Sequence, residues 1–80
     1  MKIRVHVALK QSVLDPQGKT ISQALQRVGY TKLSGVRVGK EFYLDIDTEN
    51  KEEAIAMAKE MAEKLLANTV IEDYFVEAEN

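Results

Sequence analysis

The sequence predicts an α+β domain, an antiparallel sheet of four strands with two helices on one face, in the order strand-helix-strand-strand-helix-strand. Three observations predict it. Ile3, Val5, Val7 and Leu9 alternate with Lys2, Arg4, His6 and Lys10. Phe42, Leu44 and Ile46 alternate in the same way with Tyr43, Asp45 and Asp47. A period of two is the pattern of a strand with one face on a core. Ile21, Ala24, Leu25 and Val28, and later Ala54, Ala58, Met61, Ala62 and Leu65, recur instead at helical spacing. The resulting order is the split β-α-β, ferredoxin-like one.

The first strand runs from Ile3 to Leu9, and Gln11-Ser12-Val13-Leu14 leads out of it. Asp15-Pro16-Gln17-Gly18 then reads as a helix entry. Asp15 can cap, and Pro16 suits the first helical position, where its missing N–H is not needed. Gly18 is poor inside a helix and points to a tight first turn or to close packing there. Gly29 is the expected stop. Leu33, Val36 and Val38 read as a second strand loosened by Gly35, Gly39-Lys40 as a two-residue hairpin turn, and Phe42 to Ile46 as the third strand. Asn50 with Glu53 has capping-box spacing and opens a second helix of four turns or more. That helix ends near Leu66, with Asn68 placed to take the left-handed conformation beyond it. Val70 to Glu77 supplies the fourth strand. There Val70, Tyr74 and Val76 share one face while Ile71 and Phe75 share the other. A strand apolar on both sides is usually covered on both.

With 80 residues the chain reads as one domain, 1–80, and buries only about 60–65% of its unfolded surface. The size and the two-sided last strand together favour self-association. Net charge is −2, which does not steer the chain toward nucleic acid. There is no cysteine, so disulfides, thiol chemistry and Cys-type zinc sites are excluded. No apolar run approaches the roughly 18–20 residues of a membrane span, and the charged, alternating N-terminus is not a signal peptide. The expectation is a soluble cytoplasmic protein, with no nucleic acid and no membrane among its partners.

Candidate chemistry is sparse. Gly18-Lys19-Thr20 follows a strand and opens a helix, as a phosphate loop does, but Val13 stands where that loop needs Gly. Asp15 and Pro16 also oppose a phosphate cradle by charge and by a missing N–H. His6, on the sheet face away from the helices, has no second His and no nucleophile beside it. Asp45 and Asp47 on one strand read as solvation rather than as a metal pair. Glu49, Glu52 and Glu53 suit a helix N-terminus. Phe42 and Tyr43 lack the surrounding motif of an RNA-binding sheet. No catalytic constellation and no metal ligand set emerges. The residues alone lead to a small α+β domain that works by binding.

Three stretches carry a resemblance. Val13-Leu14-Asp15-Pro16-Gln17-Gly18, Val36-Arg37-Val38-Gly39-Lys40 and Glu63 to Tyr74 resemble, in the same order, the PurS family. That family is the small subunit of bacterial and archaeal phosphoribosylformylglycinamidine synthase. The resemblance covers nearly the whole chain and implies a PurS-like sheet and a step of purine biosynthesis. In that step formylglycinamide ribonucleotide, glutamine and ATP give formylglycinamidine ribonucleotide, glutamate, ADP and phosphate. It further implies a glutaminase partner (PurQ) that releases ammonia and a synthetase partner (PurL) that uses ATP and magnesium. This chain would hold no cofactor and no catalytic residue. It would bridge the two partners, assist ammonia transfer, and self-associate as a dimer or tetramer. The contact residues so implied are Asp15, Pro16, Gln17, Gly18, Arg37, Gly39, Lys40, Asn68, Thr69, Glu72, Asp73 and Tyr74. Arg37 and Lys40 would meet acids or a phosphate, and Glu72 and Asp73 would meet bases. The alternative is a stand-alone ferredoxin-like regulatory domain binding a small ligand at a dimer interface.

Overall fold

The strand β1 (Lys2–Leu9) is the middle of a three-stranded antiparallel sheet, between β2 (Gly39–Asp45) and β3 (Glu72–Ala78). We describe residues 1–79 of a computed structural model. Val5 lies opposite Phe42 on one side and Val76 on the other, and this register puts Ile3, Val5 and Val7 on one face. All three are wholly buried. The cover over them is the helix α2 (Lys51–Met61) and the turn that follows it. Ala54 and Ala58 of the helix and Ala62 of the turn repeat every four residues along the inner side and are also wholly buried, so small side chains let the helix lie close to β1. Asn50 caps it as expected, its side chain accepting the Glu53 N–H at 3.1 Å.

The expected class, α+β with an antiparallel sheet and two helices, is the class found, but the sheet has three strands and not four. Residues 33–38, expected as a strand, form no sheet pairing. The Val38 N–H, which a neighbouring strand would have taken, is instead donated to the Asp15 carboxylate at 2.8 Å. Without that strand there is no hairpin at Gly39-Lys40. Both residues already belong to β2, where Gly39 faces Ala8 and Lys40 faces Val7.

The first helix, α1 (Pro16–Arg27), begins and ends as its residues dictate. Asp15 is its cap and Pro16 its first residue. At its other end Gly29 has φ +118°, and the Gly29 and Tyr30 N–H groups close back on the carbonyls of Gln26 and Leu25. That is the left-handed stop for which glycine has no Cβ penalty. However, among the described residues α1 makes no extensive packing with the sheet or with α2. Its apolar stripe stays in solvent, with Leu25 36% and Val28 73% exposed. The helix and the return segment to residue 36 form an arm, and the molecule measures 48 × 27 × 14 Å with a radius of gyration of 16.0 Å. A compact chain of this length would have about 12 Å.

Two expectations near the C-terminus also change. The last turn after α2, Ala62–Leu66, widens to π spacing, with the Ala67 N–H reaching the Ala62 carbonyl. The helix then leaves directly into extended backbone at Ala67, so Asn68 does not take the left-handed conformation. Val70 and Ile71 belong to a turn rather than to the last strand. The strand itself keeps the expected parity. Tyr74 and Val76 lean on the core, while Phe75 stands 62% exposed on the open face.

Candidate functional site

The three sequence stretches meet at one end of the sheet, where β1 finishes and β2 and β3 begin. Asp15 holds two of them together. Its Oδ1 accepts the Gly18 N–H at 2.9 Å and its Oδ2 accepts the Val38 N–H at 2.8 Å, although 23 residues separate Asp15 from Val38. The carboxylate is buried. The amide donors of Val38 and Gly18 favour its charged form, outweighing burial, and with the Arg37 charge nearby they hold its pKa below the ordinary 3.8. Arg37 completes the closure from the other side. Its Nη2 donates to the carbonyls of Lys10 (2.9 Å) and Val13 (3.0 Å). The guanidinium expected to meet a partner's acid or a phosphate therefore spends one nitrogen on its own chain.

The third stretch joins through charge and backbone. Lys40 Nζ lies 3.8 Å from Glu72 Oε2, and the other oxygen of Glu72 accepts the Asn68 N–H at 2.7 Å. Asn68 in turn accepts the Val70 N–H through its side chain at 3.3 Å. Lys10 contributes twice. Its N–H bonds the Ile71 carbonyl at 2.9 Å, and its Nζ reaches Asp73 at 3.2 Å. The Tyr74 hydroxyl donates to Glu63 at 2.9 Å. That bond, burial and the Glu63 charge all raise the phenol pKa above 10.0. Pro16, Gln17, Gly39 and Thr69 are solvent-exposed around this junction. A cleft of about 220 Å³ opens among Asp15, Gln17, Val38, Lys40 and Glu72, floored by the end of β1.

Lys10 is a member that sequence reasoning missed. Its ionic partner is 63 residues away, and an alternating lysine at a strand end carries no signal of its own. On the open sheet face, Arg4 sits between Glu77 at 2.8 Å and Glu41 at 3.6 Å. His6 lies there too, 3.8 Å from Glu41, with Tyr43 and Phe75 exposed beside them. Among the described residues no three carboxylates or imidazoles converge as a metal set, and no helix is long and apolar enough to cross a membrane.

The fold and this junction define a small, elongated α+β protein with exposed apolar and charged surface, the kind of surface that marks sites of contact with other chains. Comparison with known proteins gives the particular family. Residues 2–80 match the family model described as PurS: Phosphoribosylformylglycinamidine (FGAM) synthase. A relative from Bacillus subtilis, phosphoribosylformylglycinamidine synthase subunit PurS, is 49% identical over 78 residues, covering 98% of this chain and 92% of that one. A solved structure of B. subtilis PurS superposes with a TM-score of 0.87 at 48% identity, over 99% of this chain and 98% of that one. A chain from the Thermotoga maritima structure described as PurLQS superposes with a TM-score of 0.86 at 36% identity, over 95% and 93% of the two chains. The chain belongs to the PurS family, the PurS subunits of FGAM synthase in purine biosynthesis.

Proposed function

We propose that this chain bridges the glutaminase and synthetase subunits of FGAM synthase and assists the passage of ammonia between them. The observation that carries this reading is the likeness, over nearly the whole chain, to a subunit found in a PurLQS assembly. In this reading PurQ releases ammonia from glutamine, and PurL, with ATP and magnesium, activates the formyl amide oxygen of its substrate. The bridging chain itself binds no cofactor and performs no covalent step. Its contribution is chemical all the same. An activated intermediate left open to water is lost to hydrolysis, so ammonia must arrive through an assembly that excludes water.

The reading includes self-association and residence in the cytoplasm. Self-association is supported by the exposed stripe of Ile21, Leu25 and Val28, and by Tyr43 and Phe75 on a sheet face that none of the described residues covers. Of the carried-over contact residues, Pro16, Gln17, Lys40, Thr69 and Asp73 face outward and are proposed as the partner-facing surface, whereas Asp15, Gly18 and Arg37 are engaged within the chain itself. The test is a reconstitution of the glutaminase and synthetase subunits with and without this chain, supplied either with glutamine or with an ammonium salt. Glutamine-driven turnover is expected to require the chain, and ammonia-driven turnover to need only the synthetase. If neither rate responds and no complex forms by size, the reading is wrong.

A further inference from the structure

The arm has a mechanical peculiarity. It leaves the body after β1 and returns into β2, yet among the described residues α1 makes no extensive packing with another strand or helix. Inside itself the arm is braced, because Gln26 Nε2 donates to the Leu33 carbonyl at 2.8 Å and so ties the helix to the returning segment. Two side chains join its outgoing and returning segments at the root. One carboxylate, Asp15, grips the outgoing helix at Gly18 and the returning chain at Val38. One guanidinium, Arg37, grips the outgoing loop at Lys10 and Val13 from the returning chain. Between them Gly18 lies so close beneath the Val36 carbonyl that no side chain fits there.

We propose that Asp15 and Arg37 are positioning residues, a two-part latch that sets the direction in which the arm is held from the body. The geometry makes direction sensitive to the root. The 12 residues of α1 span about 18 Å, so a slip of about 10° at the root displaces the far end by roughly 3 Å. That far end carries the hollow lined by Leu25, Gly29, Tyr30, Lys32 and Leu33. The latch is also well suited to holding an angle without belonging to the core. The buried carboxylate makes charge-assisted bonds to amides on two different segments, and the exposed guanidinium bonds two carbonyls from a single nitrogen. Two stretches that the sequence singled out separately thus act as one device. Its importance to the synthase rests on the bridging reading, whereas its mechanical role does not.

The experiment compares the full chain with Asp15→Asn, Arg37→Gln and Arg37→Lys. It reads amide hydrogen exchange, the radius of gyration in solution, and turnover in the reconstituted synthase. Asn cannot replace Asp15, because its NH2 would face an N–H donor. Arg37→Gln is an exposed change that leaves the core alone. Both are expected to speed exchange at Gly18 and Val38 by about tenfold while the β1 amides of Ile3 to Val7 keep their protection. Arg37→Lys is expected to rescue most of the loss, since one ammonium can serve both carbonyls. With glutamine, turnover should fall about tenfold in Asp15→Asn and Arg37→Gln, with the ammonia-driven rate unchanged. Equal acceleration of the β1 amides would overturn the proposal, because the two residues would then be ordinary stabilising contacts. Unchanged exchange at the root would overturn it outright. A loosened arm with undiminished glutamine-driven turnover would overturn the positioning role in the synthase. If the unsubstituted chain itself supports no glutamine-driven turnover, it is the bridging reading that falls, and exchange and scattering still decide the latch.

Discussion

Replacing Gly18 by alanine sets two physical effects against each other, and the structure decides the sign. On helix propensity alone, Gly→Ala stabilises a helix by up to about 1 kcal/mol. At this position the added Cβ would lie 2.2 Å from the Val36 carbonyl oxygen and 3.0 Å from Asp15 Oδ2. Contact at ordinary van der Waals separation needs the returning backbone to move by roughly 1 Å, and that backbone is held two residues later by the Val38–Asp15 bond. Overpacking of this kind costs about 1–3 kcal/mol, and loosening a hydrogen bond to a charged acceptor adds about 1.5–3 kcal/mol if the bond is lost. After the propensity gain the net expectation is a loss of about 2 kcal/mol. With about 2.1 cal/mol/K of unfolding entropy per residue, that lowers Tm by about 12 °C for this chain. The assay is thermal unfolding followed by circular dichroism at matched protein concentration. Gly35→Ala is the control, since a Cβ there meets nothing within 4 Å and the change should be neutral or slightly stabilising. If Gly18→Ala melts at or above the parent temperature, the close approach of Val36 does not constrain the helix entry, and the account of the arm's root fails with it.

Other outcomes follow from the same structure. Val5→Ala, at a wholly buried position between Phe42 and Val76, should cost about 2–3 kcal/mol in urea unfolding, far more than any exposed substitution on the arm. Asn50→Ala removes the cap that accepts the Glu53 N–H and should cost about 1 kcal/mol by the same measurement, while Asn50→Asp should retain most of it. Tyr74 has a raised pKa, so its contribution is complete below pH 10.0 and lost as pH climbs through the folded value; Tyr74→Phe should flatten this alkaline loss in a series of urea midpoints. Asp15 has a lowered pKa, so its contribution is complete above 3.8 and lost as pH falls through the folded value; Asp15→Asn should remove that part of the acid dependence.

Much of the site was visible in the sequence as residue names and very little of it as contacts. Asp15 was legible as a helix cap, and it is one, but its second bond to Val38 was not, because nothing local announces a partner 23 residues on. Gly18, poor inside a helix, pointed to a tight first turn or to close packing, and only the fold supplies the Val36 carbonyl that decides for packing. Arg37 and Lys40 read equally as free cations on a hairpin. In the structure one closes a loop and the other, within β2, reaches its ammonium to 3.8 Å from the Glu72 carboxylate. Asn68 read as a left-handed stop, but the wider turn after α2 releases the chain directly into extended backbone, and Asn68 serves the following turn instead.

What the sequence by itself determined was periodic and local. The alternation from Lys2 to Lys10 places β1, the helical spacing from Ala54 to Leu65 places α2, although of that expected face only Ala54, Ala58 and Ala62 are buried while Met61 and Leu65 are exposed, and Asn50, Pro16 and Gly29 set helix ends, because each acts through its own neighbours' backbone. The tertiary structure alone decided how many strands the sheet has and where α1 goes. A strand exists only if its amides find a partner strand, and the Val38 amide is taken by a carboxylate. A helix with an apolar stripe finds a core only if the chain entering and leaving it allows the approach. Here the closure at Asp15 and Arg37 holds α1 away from the sheet and leaves Leu25 and Val28 at the surface.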